Sequence, residues 1–233
     1  MKNKHACIII CYLNVEHIKK CFDSIYTPNV DYFIIENKSV NSDEISEYFK
    51  SKPLKRYIQF NENISNSAPH IFFNDYKHEL TEYDYVTFTD GDLYVSDIVG
   101  AFSEIIKNLN FKEVGMSCID LDMINYPHSM DKKKTWIPKP KRITDEYIEC
   151  PTGGHLMTLK QELAHIFYNE SPFIDTGLLE TITNHKLIWV KTKIHKAVHL
   201  TWDLYTSDNE YYKYKCQKNI WNHGRTSKYI QII

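Results

Sequence analysis

The chain has 233 residues, 42% hydrophobic and 25% charged, with a formal net charge of −2. That length and apolar content suffice for one large core, and the near balance of acids and bases leaves no field for sequence-independent nucleic-acid binding. No apolar run reaches the roughly eighteen residues that a transmembrane helix needs.

Lys2 and Lys4 precede an apolar run, Ala6 to Leu13, that breaks at Asn14-Val15-Glu16 without a small-residue cleavage site, so it reads as a strand and not a signal peptide. Its continuous apolarity is the pattern of a strand buried on both faces of a parallel sheet. Asn14 is placed to cap a helix with apolar positions Ile18, Cys21, Phe22 and Ile25, and Pro28 marks its exit. A second buried strand, Tyr32 to Ile35, runs into Glu36-Asn37-Lys38-Ser39. A helix around Ser42 to Phe49 and a third strand, Arg56 to Phe60, follow. The polar loop Asn61 to Pro69 leads to a helix over about His70 to His78, and then to the run Tyr85-Val86-Thr87-Phe88-Thr89-Asp90-Gly91-Asp92.

After Asp97 the stripe Ile98, Phe102, Ile105, Ile106, Leu109 predicts a helix, and Val114 to Ile119 a strand. Tyr126 to Tyr147, with Lys132 to Lys134, Lys141 and Arg142 around Trp136, reads as a basic surface loop, solvated or in contact with phosphate or acceptor. The Gly153-Gly154 pair in a glycine-poor chain implies close backbone approach or positive φ. A helix from Lys160 to Tyr168, another over Leu178 to Asn184, and short strands at Leu187 to Val190 and Ala197 to Leu200 complete the ordered pattern. A polar, aromatic tail with Lys213, Lys215, Lys218 and Arg225 follows, which we expect to fold back over a bound ligand. The six cysteines form no C-x-x-C pair, and several sit inside apolar runs as small hydrophobes, which suits a reducing cytosol. Seventeen tyrosines favour the flat, hydrogen-bonding contacts that sugar and nucleoside sites use.

Alternating strands and helices predict α/β units on a mostly parallel sheet, where ligands bind at the carboxyl ends of the strands. Asn14, Glu36, Asn61 to Asn63 and Asp90 to Asp92 all fall at those ends. In an extended chain Asp90 and Asp92 face one side, and paired carboxylates there suit a hard divalent cation shared with phosphate oxygens. Asp-Gly after an apolar run is also a common way to end a strand in a turn.

In order and spacing, Tyr12-Leu13-Asn14 with its following helix, Ile34-Ile35-Glu36-Asn37-Lys38-Ser39, Asn61-Glu62-Asn63-Ile64 and Thr89-Asp90-Gly91-Asp92 resemble the nucleotide-binding half of the family 2 glycosyltransferases of GT-A fold. Thr152-Gly153-Gly154-His155-Leu156-Met157, Phe173-Ile174-Asp175-Thr176-Gly177 and Val198-His199-Leu200 look like that family's acceptor half. The resemblance covers residues 6 to 203 and implies one catalytic domain over 1–203, with a nucleotide-binding half (6–96), an acceptor half (97–203), a short mixed second sheet and a separate tail, 204–233.

It further implies transfer of a sugar from a nucleotide-diphosphate donor, a UDP-sugar before a GDP-sugar, to a hydroxyl of a glycan or lipid-linked acceptor. That transfer would invert by single displacement with Mn²⁺ or Mg²⁺, in polysaccharide biosynthesis in the cytoplasm or at the inner face of a membrane. Asp90, Asp92 and His199 would be the metal ligands. Tyr12, Glu36, Asn37, Asn63, Asp90, Gly153 and Gly154 would contact the nucleotide. Asp175 or Glu180 would be the catalytic base. Glu36 stands where the family usually has Asp, and the loop Asn63 to His70 lacks its usual glycines and arginine.

The residues admit plainer roles as well: His199 as a strand-end histidine, Asp175 as a helix N-cap, Glu180 on a solvated helix face and His155 as a loop histidine. A nucleotidyltransferase is the rival enzyme, although Leu13-Asn14-Val15-Glu16 is not the glycine-rich phosphate loop it would want. A nucleotide- or glycan-binding module without turnover is the non-enzymatic alternative.

Overall fold

The run Ala6 to Cys11 is apolar at every position because both faces of the strand it forms are covered, and the rest of the fold is layered on it. The computed structural model describes residues 4–64, 68–125, 139–150, 154–164, 176–204 and 229–232. Strand β1 (His5–Cys11) leads through α1 (Val15–Ile25) to β2 (Val30–Glu36), through α2 (Ser42–Phe49) to β3 (Arg56–Phe60), and through α3 (Ala68–Leu80) to β4 (Tyr85–Asp90). Then come β5 (Leu93–Val95), α4 (Ile98–Leu109), β6 (Val114–Leu121), β7 (Arg142–Ile143), β8 (Ile148–Glu149), β9 (His155–Lys160), α5 (Thr176–Asn184), β10 (Ile188–His199), a 3₁₀ turn Leu200–Leu204 and β11 (Tyr229–Ile232).

Alternate residues of β1 enter different cores. Cys7, Ile9 and Cys11 pack with Phe22 and Ile25 of α1, Phe49 of α2 and Phe102 and Ile105 of α4. Ala6, Ile8 and Ile10 pack with Phe72 and Leu80 of α3 and Leu178 and Ile182 of α5. The result is a sheet between two helical layers, as the period-two alternation of a doubly buried strand requires.

The strands form one eleven-stranded sheet in the order β11-β3-β2-β1-β4-β9-β6-β10-β8-β7, with β5 pairing β10. β3, β2, β1 and β4 are mutually parallel. β9 runs antiparallel between β4 and β6, and β10 lies parallel to β6. No separate second sheet forms among the described residues, because β9 pairs with β4 on one side and β6 on the other and so makes the later strands continuous with the parallel ones.

Two local expectations also change. Asn14 stands at the N-cap of α1, but its side chain makes no cap hydrogen bond. The two short strands expected at Leu187 to Val190 and Ala197 to Leu200 are one twelve-residue strand, β10. Lys191 pairs with Cys118 and Lys196 with Asp120, so the polar segment between them bulges instead of ending the strand. Glu104 of α4 holds that bulge, accepting the N–H groups of Lys193 (2.7 Å), Ile194 (3.1 Å) and His195 (3.0 Å) as well as His195 Nδ1 (2.7 Å). At the end of the tail, β11 adds an antiparallel edge strand to β3. Much of the expected basic loop (126–138) and most of the tail (205–228) lie outside the described residues, while β7 and β8 form a small hairpin beside β10.

Candidate metal and nucleotide site

Parallel register sets the strand ends level. Cys11 of β1 lies opposite Glu36 of β2, Glu36 opposite Gln59 of β3, and Ile10 opposite Asp90 of β4. Polar residues that follow four apolar runs are thereby gathered along one carboxyl edge. The chain leaves β1 sharply: Leu13 has φ 67°, the Asn14 amide donates to the Tyr12 carbonyl at 2.8 Å, and Asn41 Nδ2 donates to the Leu13 carbonyl at 2.7 Å. A branched residue in the left-handed region is strained by roughly 1–3 kcal/mol, and such strain clusters at ligand sites.

Glu36 is fully buried and accepts from the Tyr57 hydroxyl and, at 2.9 Å, from Gln59 Nε2. Its second oxygen, Oε1, has no hydrogen-bond partner among the described residues. Asn37 Oδ1 accepts the Ile64 amide at 3.1 Å and so ties the loop carrying Asn63 to the end of β2. Buried polar atoms of this kind are normally satisfied, which marks Glu36 Oε1 as an acceptor whose partner is not among the described residues.

The acids beyond β4 part company. Asp90 is exposed, whereas Asp92, with a side chain 18% exposed, turns into a cluster with His155 and His199 whose ligand atoms all lie within 4.8 Å of one another. Three backbone pairings assemble it. β5 pairs antiparallel with the end of β10, setting His199 opposite Leu93. The Leu200 amide donates to the Asp92 carbonyl at 2.7 Å. His155 begins β9, whose pairing with β4 and β6 brings it to the same edge. Gly91 serves that approach, since a Cβ there would meet the Ile10 carbonyl oxygen at 3.1 Å and Cys11 Sγ at 3.2 Å.

Hydrogen bonding orients these side chains. Thr201 Oγ1 lies 2.6 Å from Asp92 Oδ2 and 3.2 Å from His199 Nδ1. Its single proton goes to the carboxylate, so it accepts from Nδ1–H of His199, whose Nε2 lies 3.7 Å from Asp92 Oδ2. The rings of His155 and His199 meet edge to face with centroids 4.8 Å apart. Burial, reinforced by neighbouring His199 and only partly opposed by Asp92, lowers the His155 pKa to about 3, so its imidazole is neutral at pH 7. One carboxylate and two imidazoles this close fit a divalent cation, whose ligands at about 2.1 Å stand roughly 3–4 Å apart.

No protein-family model matches the chain. Three uncharacterized proteins of Acanthamoeba polyphaga mimivirus are 30%, 31% and 32% identical to it over 97–98% of its length. The chain spans half of the first and about a third or less of the other two (50%, 34% and 28%). Among solved structures, the mannosyltransferase PcManGT from Pyrobaculum calidifontis, in complex with GDP-Man and Mn²⁺, superposes with a TM-score of 0.61 at 12% identity, over 94% of this chain and 61% of that one. The fold is GT-A-like. S. aureus TarS is also similar (TM-score 0.50, 16% identity, 92% of this chain and 68% of that one).

Within the GT-A-like fold the remaining candidate residues separate. Gly154 is dictated by packing, because a Cβ there would fall 2.8 Å from Cys118 Sγ and 3.0 Å from Trp189 Cζ2. Glu180 is exposed on α5, whose Leu178 and Ile182 turn into the core. Asp175 and Gly153 lie outside the described residues. His155, first read as a loop histidine, and Thr201, which drew no reading, stand with Asp92 and His199. A histidine directly after a glycine pair was the only local sign of the first, and nothing near Thr201 in sequence marks the second.

Proposed function

We propose that the protein is a metal-dependent glycosyltransferase that moves a sugar from a nucleotide-diphosphate donor to a hydroxyl of a glycan or lipid-linked acceptor. The observation that carries this reading is the gathering of Asp92 and His199 at the same carboxyl edge of the parallel strands as Glu36 and Asn37. In this reading residues 6–96 bind the donor and 97–203 the acceptor. Tyr12, Glu36, Asn37 and Asn63 line the nucleoside end, with Glu36 Oε1 accepting from the base or ribose.

Asp92 and His199 would hold a divalent cation, and that cation would supply positive charge for the diphosphate that leaves as the anomeric C–O bond breaks. Thr201 keeps Asp92 and His199 aimed at it. Exposed Asp90 contacts the donor ribose or solvent-side phosphate. The attacking hydroxyl gives its proton to a carboxylate opposite the leaving group, the role we give Asp175, and inversion needs only that one base.

Incubation of the full chain with Mn²⁺ and a panel of UDP- and GDP-sugars is expected to release the nucleoside diphosphate, and Asp92→Ala to stop that release. Pyrophosphate formed from a nucleoside triphosphate would instead establish the nucleotidyltransferase reading.

A further inference from the structure

Resting on the metal part of the reading above, we infer that His155 is a third protein ligand, and that two imidazoles with one carboxylate make this a site for a nitrogen-preferring transition ion, not for Mg²⁺.

Three observations meet at His155. Its ligand atom stands within 4.8 Å of those of Asp92 and His199. The side chain is nine-tenths buried (8% exposed), and Nδ1 has no hydrogen-bond partner among the described residues. An unsatisfied buried nitrogen is costly, and a cation taking the Nδ1 lone pair would offset that cost. The backbone is also bent to bring it there: Leu156, the next residue, has φ 49°, and the β6–β9 ladder shifts register between Ser117 and Ile119, the residue opposite His155. Irregularities of this kind re-aim side chains, and a leucine held in the left-handed region is strain that surrounding structure must maintain.

The donor chemistry then decides the metal. Mg²⁺ is held by oxygen ligands and keeps several waters, so each imidazole substituted for an oxygen weakens it. Imidazole suits the later first-row ions, whose affinity for a given site rises from Mn²⁺ through Co²⁺. Three protein ligands would still leave such a cation positions for phosphate oxygens of a donor.

The test is metal binding by the full chain, stripped with chelator and titrated calorimetrically with Co²⁺, Mn²⁺ and Mg²⁺. Wild type is expected to prefer Co²⁺ to Mg²⁺ by more than about tenfold, with Mn²⁺ between them. His155→Gln should lower Co²⁺ affinity by about 10- to 100-fold while barely moving Mg²⁺. Equal affinity for Co²⁺ and Mg²⁺, or selectivity unchanged in the variant, overturns the inference. If the variant does not fold, pulsed EPR of the Mn²⁺-loaded wild type decides: two coupled imidazole nitrogens support it and a single one refutes it. Selective Co²⁺ binding without release of nucleoside diphosphate from any sugar nucleotide would sink the glycosyltransferase reading and leave the three-ligand site standing. Metal-dependent sugar release with unchanged selectivity in His155→Gln would do the reverse.

Discussion

The four parallel strands and the later antiparallel ones contribute to the same site by different means. β3, β2, β1 and β4 are apolar runs buried on both faces, and each delivers its polar residues simply by ending. The strands after Asp92 are held by polar clamps: Glu104 on the β10 bulge, Thr201 on Asp92 and His199, and the chain His5 Nε2, Thr87 Oγ1, Thr158 Oγ1, with links of 2.6 and 2.7 Å, across β1, β4 and β9. The first region is therefore vulnerable to lost volume and the second to lost hydrogen bonds.

The largest effects should separate scaffold from chemistry. Ile34→Ala, at a fully buried position in β2, is expected to cost about 2–5 kcal/mol in urea unfolding through a cavity. Asp92→Ala should keep the fold but lower metal-dependent turnover by about 10²–10³-fold, as loss of one group that stabilises a departing charge does. Asp90→Ala, at an exposed position, should lose far less, and equal losses would show that both acids hold the metal.

Next comes the clamp. Glu104→Ala strands three amides of β10 and should cost about 1–3 kcal/mol, with faster hydrogen exchange confined to residues 192–196. A loss spread evenly over the sheet would show that the two regions unfold as one. Burial pushes the Glu104 pKa up, but the His195, Ile194 and Lys193 amides and the His195 ring together bring it below the usual value of 4.5. Its contribution is therefore complete above pH 4.5 and fades as pH falls through the lower, folded value.

The smallest effect is a slope. Burial lowers the His5 pKa to about 3, so below the ordinary 6.5 the unfolded chain takes up a proton that the folded one refuses. Stability should fall as pH drops from 6.5 toward 3, by at most about 1.4 kcal/mol per pH unit for this one group. His5→Asn should remove that much of the slope between pH 6 and 5, and an unchanged slope would show that His5 is not held neutral in the fold.

Much of this was legible in the chain. Apolar runs of strand length, helical stripes such as that of α4 and the polar residues after each run placed β1 to β4, their helices and the carboxyl edge. In sequence β10 looks like two strands, because its polar middle breaks the apolar pattern while Glu104, some ninety positions away (separations of 89 to 91), satisfies the backbone there. It also passed over β9, whose start at His155 follows glycines.

By itself, then, the sequence determined the α/β layering and the line of strand ends, since burial on both faces is written residue by residue in each run. Tertiary structure decided that Asp92 and not Asp90 turns inward, that His155 and Thr201 join His199, and that β11 closes on β3. Those choices depend on register between segments distant along the chain, and the pattern of a single strand carries no information about its partner.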